Sequence, residues 1–246
     1  MAEDAPRADK SAVGAINRPL RLTWCSLCGC GRPGVRYVVA EDLVFVMWLH
    51  GKAVDCFAVT YVIAGVCWSM FMNHEDHVRL LRKGIAEPGG VWADFGSGAG
   101  AFTLALADLL GTEGHIYSVD KDRGALKEQE RAMRARFPGI RVEYINADFM
   151  QRLTLPQLDG VVMANSLHFV RNKDAVLQLV RGYLKPGGRL LIVEYNADRG
   201  NMWVPYPFSF RSWELLARKN GFAHTQLLTT VPSRFFGEIY SAVSFG

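Results

Sequence analysis

The stretch Val91-Trp92-Ala93-Asp94-Phe95-Gly96-Ser97-Gly98-Ala99-Gly100-Ala101 constrains the fold of this chain more than any other. It reads as a buried strand, a glycine turn and a helix start in direct succession. Gly96, Gly98 and Gly100 let the backbone turn sharply and approach a ligand closely, and Asp94 places a carboxylate where the strand ends. A negative group there suits hydroxyls or an ammonium and disfavours phosphate. The spacing Gly96-x-Gly98-x-x-Ala101 also satisfies the loose dinucleotide fingerprint, so the surrounding sequence has to decide between ligands.

After the loop, Phe102, Ala105, Leu106, Leu109 and Leu110 fall on one helical face, and Gly111 with Gly114 closes that helix. A second strand over residues 115–119 ends in Asp120. An acid about twenty positions beyond the glycine loop is placed to accept hydrogen bonds from ribose hydroxyls, so the expected cofactor contains a ribose. Asp122 caps a charged helix ending at Arg136, Pro138-Gly139 makes a turn, and residues 141–145 form a third strand leading into Asn146-Ala147-Asp148-Phe149. Residues 158–164 give a fourth, apolar strand entering Asn165-Ser166-Leu167-His168-Phe169, and Asn172 or Asp174 caps the next helix. That helix stops at Leu184-Lys185-Pro186-Gly187-Gly188; residues 189–194 make the fifth strand and residues 212–220 a helix with Gly221 at its C-terminal cap. Residues 224–230 and 235–243 are the last two strands. The alternation predicts a Rossmann-like, doubly wound α/β fold. Its seven-stranded sheet is mostly parallel, covered by helices on both faces, with a C-terminal antiparallel hairpin and ligands at the carboxyl ends of the strands.

From about Glu75 to the C-terminus these residues resemble the class I S-adenosylmethionine-dependent methyltransferases. Four separated elements match in order: the loop Asp94 to Gly100, the acid Asp120, the segment Ala147-Asp148-Phe149 and the turn Leu184-Lys185-Pro186-Gly187-Gly188. Taken singly, Asp94 and Asp120 serve equally well as helix caps, Asp148 as a turn residue and the Lys-Pro-Gly-Gly run as a helix stop. Four in register point to the family. The resemblance implies S-adenosylmethionine as cofactor and S-adenosylhomocysteine as product. It implies that the loop (Gly96, Ser97, Gly98, Gly100) and Asp94 hold the methionine moiety. Asp120, with Lys121 beside it, would hold the ribose, Asp148 the adenine amino group and Phe149 an adenine face, while Asn165 would offer its backbone near the sulfonium.

Transfer from a sulfonium is an in-line displacement on an activated methyl group, so the protein chiefly aligns the nucleophile and excludes water. No catalytic triad is expected. Candidates for a base lie beyond the fourth and fifth strands: His168 first, then Glu194 and Tyr195, which are also expected to face the substrate. A histidine between Leu167 and Phe169 is more often a packed or cap-bonded residue than a base. The segment Asn165-Ser166-Leu167-His168 is not the Asn/Asp-Pro-Pro-Tyr/Phe motif of enzymes acting on amino groups of bases or glutamine. From residue 71 onward 21 Lys and Arg stand against 18 Asp and Glu, and the basic residues of the 121–136 helix are interleaved with Asp122, Glu128 and Glu130. That pattern describes a solvated helix and no phosphate-binding stripe, so the expected acceptor is a small molecule and no nucleic acid. The run Trp203-Val204-Pro205-Tyr206-Pro207-Phe208-Ser209-Phe210 either lines an apolar pocket or packs as a proline-stiffened loop. Two alternatives are an NAD(P)-dependent reductase, for which we find no catalytic Tyr-x-x-x-Lys pair, and a non-catalytic nucleoside-binding module of the same fold. Nothing in the sequence specifies an oligomeric state.

Residues 1–70 differ from the rest. All five cysteines, Cys25, Cys28, Cys30, Cys56 and Cys67, lie there, and Cys25-Ser26-Leu27-Cys28-Gly29-Cys30 lacks a matching second pair, so no metal site is expected. The uncharged run over residues 57–72 is 16 residues long, short of the roughly 20 that span a bilayer. Three accounts compete for this region: an anchor, a helical cap, or a stretch outside the native protein, whose start would be Met70 or Met72. We favour the last, because composition shifts at Asn73-His74-Glu75-Asp76-His77 into a polar helix start. Residues 71–246 are then the catalytic domain, with membrane association not expected unless the 57–72 run is a native anchor. A core without cysteines suits the cytoplasm.

Overall fold

The computed structural model describes residues 72–85, 87–233 and 236–246, and, of residues 1–71, the backbone of five strands. The chain divides into two compact units, Met1–Phe71 and Met72–Gly246. In the first, β1 (Val35–Ala40) pairs antiparallel with β2 (Leu43–His50), which also pairs with β3 (Ala53–Asp55) and β4 (Val59–Ile63); β4 pairs with β5 (Val66–Trp68). Where the 57–72 run is described in this unit it is strand, in place of the helical cap considered above. Cys25, Cys28, Cys30, Cys56 and Met70 lie outside the described residues. Among the described residues no helix is long and apolar enough to cross a membrane.

The second unit begins with α1 (His74–Arg82), followed by β6 (Gly90–Phe95), α2 (Ala101–Leu110), β7 (Gly114–Asp120), α3 (Arg123–Arg136) and β8 (Arg141–Asn146). After β9 (Leu158–Ala164) come a single 3-10 turn over Leu167–Phe169, α4 (Lys173–Tyr183), β10 (Leu184–Tyr195), α5 (Phe210–Lys219), β11 (His224–Ser233) and β12 (Gly237–Phe245). The seven strands lie in the order β11-β12-β10-β9-β6-β7-β8. Pairing is parallel from β10 through β8 and antiparallel at β10/β12 and β12/β11. This is the doubly wound fold with its terminal hairpin that the alternation predicts. The chain runs outward from β6 through β7 to β8, then returns to β9 on the other side of β6. The switch point therefore opens a crevice at the carboxyl ends of β6 and β9.

Strand periodicity divides the core. Ala93 and Phe95 of β6, Val161 and Met163 of β9, and Leu190 and Ile192 of β10 pack on the face covered by α4 and α5. Trp92, Val162, Ala164, Leu191 and Val193 pack on the opposite face with α1 and α2. Two-residue alternation thus assigns Asp94 to the α1/α2 face and Glu194 to the α4/α5 face.

Several boundaries differ from expectation, each for a local reason. The Lys185-Pro186-Gly187-Gly188 segment does not end before the fifth strand: it belongs to β10 as an irregularity in the β9/β10 register between Leu184 and Arg189, with Gly187 at φ +74°. A bulge absorbs the extra residues without ending the strand. Helix α5 starts at Phe210, not Ser212, because the Ser209 hydroxyl accepts the Ser212 N–H and caps it. Asn172 holds the cap position of α4 without a side-chain bond, and Asp174 instead accepts from Asn220 Nδ2 at 2.7 Å, tying α4 to the end of α5. β12 begins at Gly237; Phe235 lies outside the described residues.

Candidate active site

The glycine loop needs its glycines for stated reasons at two positions. Gly96 sits at φ +75°, where a Cβ would come within 2.5 Å of Ser166 Cβ, and Gly100 sits at φ +91°, where it would meet Gln129 Cγ at 2.3 Å. The loop is pressed between the end of β9 and helix α3, its backbone close to whatever fills the crevice. Gly100 then precedes α2, whose N-terminus has no side-chain cap, so its first N–H groups have no intrahelical partner.

Asp94 is 1% exposed, and Thr103 Oγ1 on α2 donates to its Oδ2 at 2.5 Å. Burial raises its carboxyl to about 7, the Thr103 bond opposes the rise and the charge of Asp120 adds to it. Asp120, at the tip of β7, accepts the Gly98 N–H at 2.8 Å through Oδ2 and the Asp122 N–H at 2.7 Å through Oδ1. It therefore holds the loop as well as facing the crevice end of the sheet. Lys121 beside it is exposed, and its carbonyl accepts from Asn146 Nδ2 at 2.9 Å. Asn146 Nδ2 also donates to the Asp120 carbonyl, as does the Ala147 N–H, which joins the tips of β7 and β8. Asp148 closes the following turn by accepting from Met150 N–H at 2.9 Å. The Phe149 ring stacks at 6.2 Å on Phe95 and reaches to 3.3 Å from the position of a Cβ on Gly96. The structure thus brings Asp120, Asp148 and Phe149 to one edge of the loop.

Sequence reasoning missed two partners of this loop. Gln129, wholly buried on α3, lies under it: Ser118 Oγ is 2.9 Å and Ser97 Oγ 3.3 Å from Gln129 Oε1, the two hydroxyls are 2.8 Å apart, and Gln129 Nε2 has no partner among the described residues. His77, on α1, shares a cavity of about 290 Å³ with Asp94, the loop, Phe102, Ala164 and Asn165. An apolar neighbourhood in a charged helix is the only signal Gln129 leaves in the sequence, and His77 reads there as part of a helix start.

At the end of β9, Asn165 adopts φ +51°, its N–H donates to the Val193 carbonyl at 2.8 Å, and its Oδ1 is buried without a partner among the described residues. Ser166 Oγ returns to the Phe95 carbonyl at 2.8 Å. His168 is 3% exposed and Glu194 fully buried; His168 Nδ1 lies 2.7 Å from Glu194 Oε2. Glu194 Oε1 accepts the N–H groups of Leu167 and His168 at 3.0 and 3.2 Å. Glu194 is thus engaged by the 3-10 turn and its histidine, fully buried, at a position where the sequence suggests a residue facing the ligand. Accepting from Nδ1–H, it fixes the neutral imidazole as the tautomer with its lone pair on Nε2. The Tyr195 ring stands 6.0 Å from that of His168, and burial followed by the Glu194 charge raises its hydroxyl's pKa.

The aromatic segment after β10 packs in part on the domain, as the loop reading expects. Phe208 is buried against Trp213, whereas Trp203 is 59% exposed. The Tyr206 N–H donates to the His168 carbonyl at 3.0 Å, and Lys173 Nζ donates to the Tyr206 carbonyl at 2.9 Å, fastening the segment to the histidine turn. The reductase spacing does occur, at Tyr117 and Lys121, but on β7 and the turn beyond it, where no helix aligns the two.

A doubly wound sheet with a glycine loop after its central strand and acids at the tips of the next strands defines the nucleoside-cofactor class of α/β proteins. A family model described as a methyltransferase domain matches residues 87–225, and this chain belongs to that family, the class I S-adenosylmethionine-dependent methyltransferases. Among relatives, it is 32% identical over 160 residues to the ubiquinone/menaquinone biosynthesis C-methyltransferase UbiE of Shewanella oneidensis, covering 59% of this chain and 63% of that protein. The match thus spans less than two thirds of that relative's length. Among solved structures, a SAM dependent methyltransferase from Aquifex aeolicus aligns at TM-score 0.55 and 19% identity, over 69% of this chain and 89% of that one. The 1,6-didemethyltoxoflavin-N1-methyltransferase of Burkholderia thailandensis aligns at TM-score 0.56 and 19% identity, over 70% and 77%. These structural likenesses establish the fold.

Proposed function

We propose that the protein transfers a methyl group from S-adenosylmethionine to a small-molecule acceptor, releasing S-adenosylhomocysteine. The observation that carries this reading is the convergence of Asp94, the close-packed glycine loop, Asp120, Asp148 and Phe149 at the switch point of a methyltransferase fold. The residues present fit the cofactor: the loop backbone is a cradle that a Cβ would fill, and Asn165 Oδ1 is a buried acceptor lacking a donor. When bound, the cofactor supplies a methyl group already activated on a sulfonium.

The chain's residues position and desolvate. Asp94 and the loop hold the amino-acid end, Asp120 with Lys121 beside it holds the ribose hydroxyls, and Asp148 with Phe149 holds the adenine. The Asn165 backbone stands at the end of β9, where it would lie near the sulfonium of the bound cofactor. His168 is the base that takes the acceptor's proton at Nε2. Glu194 is its positioning residue, and Tyr195, kept neutral, forms part of the substrate wall. The interleaved charges of α3 and the cysteine-free domain support a small acceptor and a cytoplasmic setting, with no nucleic acid and no membrane partner.

Calorimetric titration with S-adenosylmethionine, S-adenosylhomocysteine and NADH tests the reading. Binding of the two sulfur nucleosides and not of NADH is expected; binding of NADH alone would overturn it. In an acceptor screen that finds turnover, His168→Ala is expected to slow transfer by roughly 10²–10⁴ while leaving cofactor affinity intact, the usual span for a lost general base.

A further inference from the structure

The base that the proposed reaction uses is shut away. His168 is 3% exposed and is not among the residues lining the cavity beside the glycine loop. Its Nδ1 faces Glu194, its ring lies 4.3 Å from that of Phe169 and 6.0 Å from that of Tyr195, and its carbonyl accepts the Tyr206 N–H at 3.0 Å. An acceptor that hands its proton to Nε2 has to come within about 3 Å of it. Some part of this surround therefore moves in each turnover.

The residues between β10 and α5 hang together as one piece. Asp198 Oδ1 accepts the Ser209 N–H at 2.9 Å and the Ser212 hydroxyl at 2.7 Å, which draws the two ends of the segment together at a neck. Beyond the neck, Asn201 Oδ1 accepts the N–H groups of Trp203 and Val204, each at 2.9 Å, and the Asn201 N–H donates to the Val204 carbonyl at 3.0 Å. A Cβ on Gly200 would come within 2.3 Å of the Pro205 carbonyl oxygen, so the segment folds closely on itself. Joined ends and internal bonding describe an Ω-loop. Its trailing end is fixed by Phe208, buried against Trp213.

Lys173, the first residue of α4, ties this loop to the turn that carries His168. Its Nζ donates to the Val170 carbonyl and to the Tyr206 carbonyl, each at 2.9 Å, and stands 5.0 Å over the Phe208 ring and 5.9 Å over that of Tyr206. One half-buried ammonium thus bridges the two. Burial lowers its pKa and the Glu194 charge opposes that shift.

We propose that residues 199–206 are a lid over His168 and that Lys173 is its latch, a positioning residue that sets how often the base is uncovered to an acceptor. This rests on His168 as the base and adds the control of access to it. The lid lifts about the Asp198–Ser209 neck, and lifting breaks two hydrogen bonds: Tyr206 N–H to the His168 carbonyl, and Lys173 Nζ to the Tyr206 carbonyl.

The test uses the full chain and needs no acceptor. Diethylpyrocarbonate labels neutral imidazole and is read at His168 by peptide mass spectrometry; hydrogen exchange reads the Tyr206 amide, whose bond breaks when the lid lifts. In wild type, His168 is expected to be labelled far more slowly than the exposed His224, and the Tyr206 amide to exchange faster than that of Ile192 in the middle of the sheet. Lys173→Met, which removes the donors, should speed both His168 labelling and Tyr206 exchange about tenfold, the change that loss of one charge-assisted hydrogen bond brings. It should leave Ile192 exchange and S-adenosylhomocysteine affinity unchanged. Lys173→Arg, which keeps charge and donors, should return most of the protection. Equally faster exchange at Ile192 would show a residue that only stabilises the domain, and no change at His168 or Tyr206 would show one that latches nothing; either overturns the proposal. Should Lys173→Met fail to fold, wild type alone decides: His168 labelled as fast as His224, or Tyr206 exchanging as slowly as Ile192, refutes the lid. Failure of the wild-type chain to bind S-adenosylhomocysteine in calorimetry would strike the methyl-transfer reading and the inference with it. Intact binding with an unresponsive His168 and Tyr206 would strike the inference alone.

Discussion

Asp94 is a carboxylate placed where a carboxylate is costly: burial pushes its pKa from an ordinary 3.8 to about 7, against the opposing Thr103 hydrogen bond and with the help of the Asp120 charge. A group that binds its proton more tightly folded than unfolded destabilises the fold once ionised. Relative to a neutral isostere, that penalty is absent below pH 3.8, builds as pH rises to about 7 and is constant above. At about 1.4 kcal/mol per unit the ceiling is roughly 4 kcal/mol. Asp94→Asn is therefore expected to stabilise the ligand-free protein by about 2–4 kcal/mol near pH 8 and by about 1 kcal/mol near pH 4.5, read from urea unfolding. An equal gain at both pH values would remove the titration account. The same variant should bind S-adenosylmethionine more weakly, since the retained cost is what presents a negative charge to a cationic ligand. Asp120→Ala should lower S-adenosylhomocysteine affinity by roughly 1.5–3 kcal/mol if it loses two charge-assisted bonds to ribose. It should also speed amide exchange at Gly98, whose N–H it holds. Unchanged affinity would displace the ribose from Asp120.

Between elements, one close constraint is the contact of α3 with the start of α2. A Cβ on Gly100 would meet Gln129 Cγ at 2.3 Å at φ +91°, whereas one on Gly98, at φ +53°, meets nothing. Gly98→Ala should therefore cost only the left-handed backbone penalty, about 1–2 kcal/mol, and Gly100→Ala about 1 kcal/mol or more beyond it. Adding Gln129→Ala to Gly100→Ala should return part of the difference as a coupling energy in denaturation; the opposite order of the two single variants would refute the packing. This contact also shows the limit of what the sequence discloses. Helix α3, the cap at Asp122 and the strand β9 were legible to their ends because periodicity and capping are local. The loop acids were legible because strand tips and spacing fix where they lie. That Gln129 enters beneath the loop, or that Glu194 turns to His168, depends on which strand faces which helix. Two-residue alternation assigns Glu194 its face, but the partner arrives from β9, and only the sheet order brings β9 beside β10. The bulge in β10 was hidden for a similar reason: Pro186-Gly187-Gly188 is a helix stop in isolation, and becomes strand only because β9 offers an edge to pair with.

At the scale of the molecule, the two compact units differ in what supports them. Met72–Gly246 contains both core faces, the whole seven-stranded sheet and every candidate site residue, and its first helix is capped from within by Asn73. A domain of about this size buries roughly 70% of the surface its unfolded chain exposes, enough to fold without help. We therefore expect a chain beginning at Met72 to unfold cooperatively and to bind S-adenosylhomocysteine with the affinity of the full chain. Calorimetry and thermal unfolding of the two side by side would check it. Loss of the thermal transition would show that Met1–Phe71 completes the fold. Retained folding with weakened binding would instead make residues 1–71 part of the site. Shortening further, to remove α1, separates two consequences that this arrangement joins. Loss of Leu80 and Leu81 uncovers the apolar surface they share with α2, and loss of His77 removes part of the lining of the cavity beside the glycine loop. Because both reside on nine residues, a chain without α1 should be less stable than one starting at Met72. It should also bind S-adenosylhomocysteine less tightly than the chain starting at Met72.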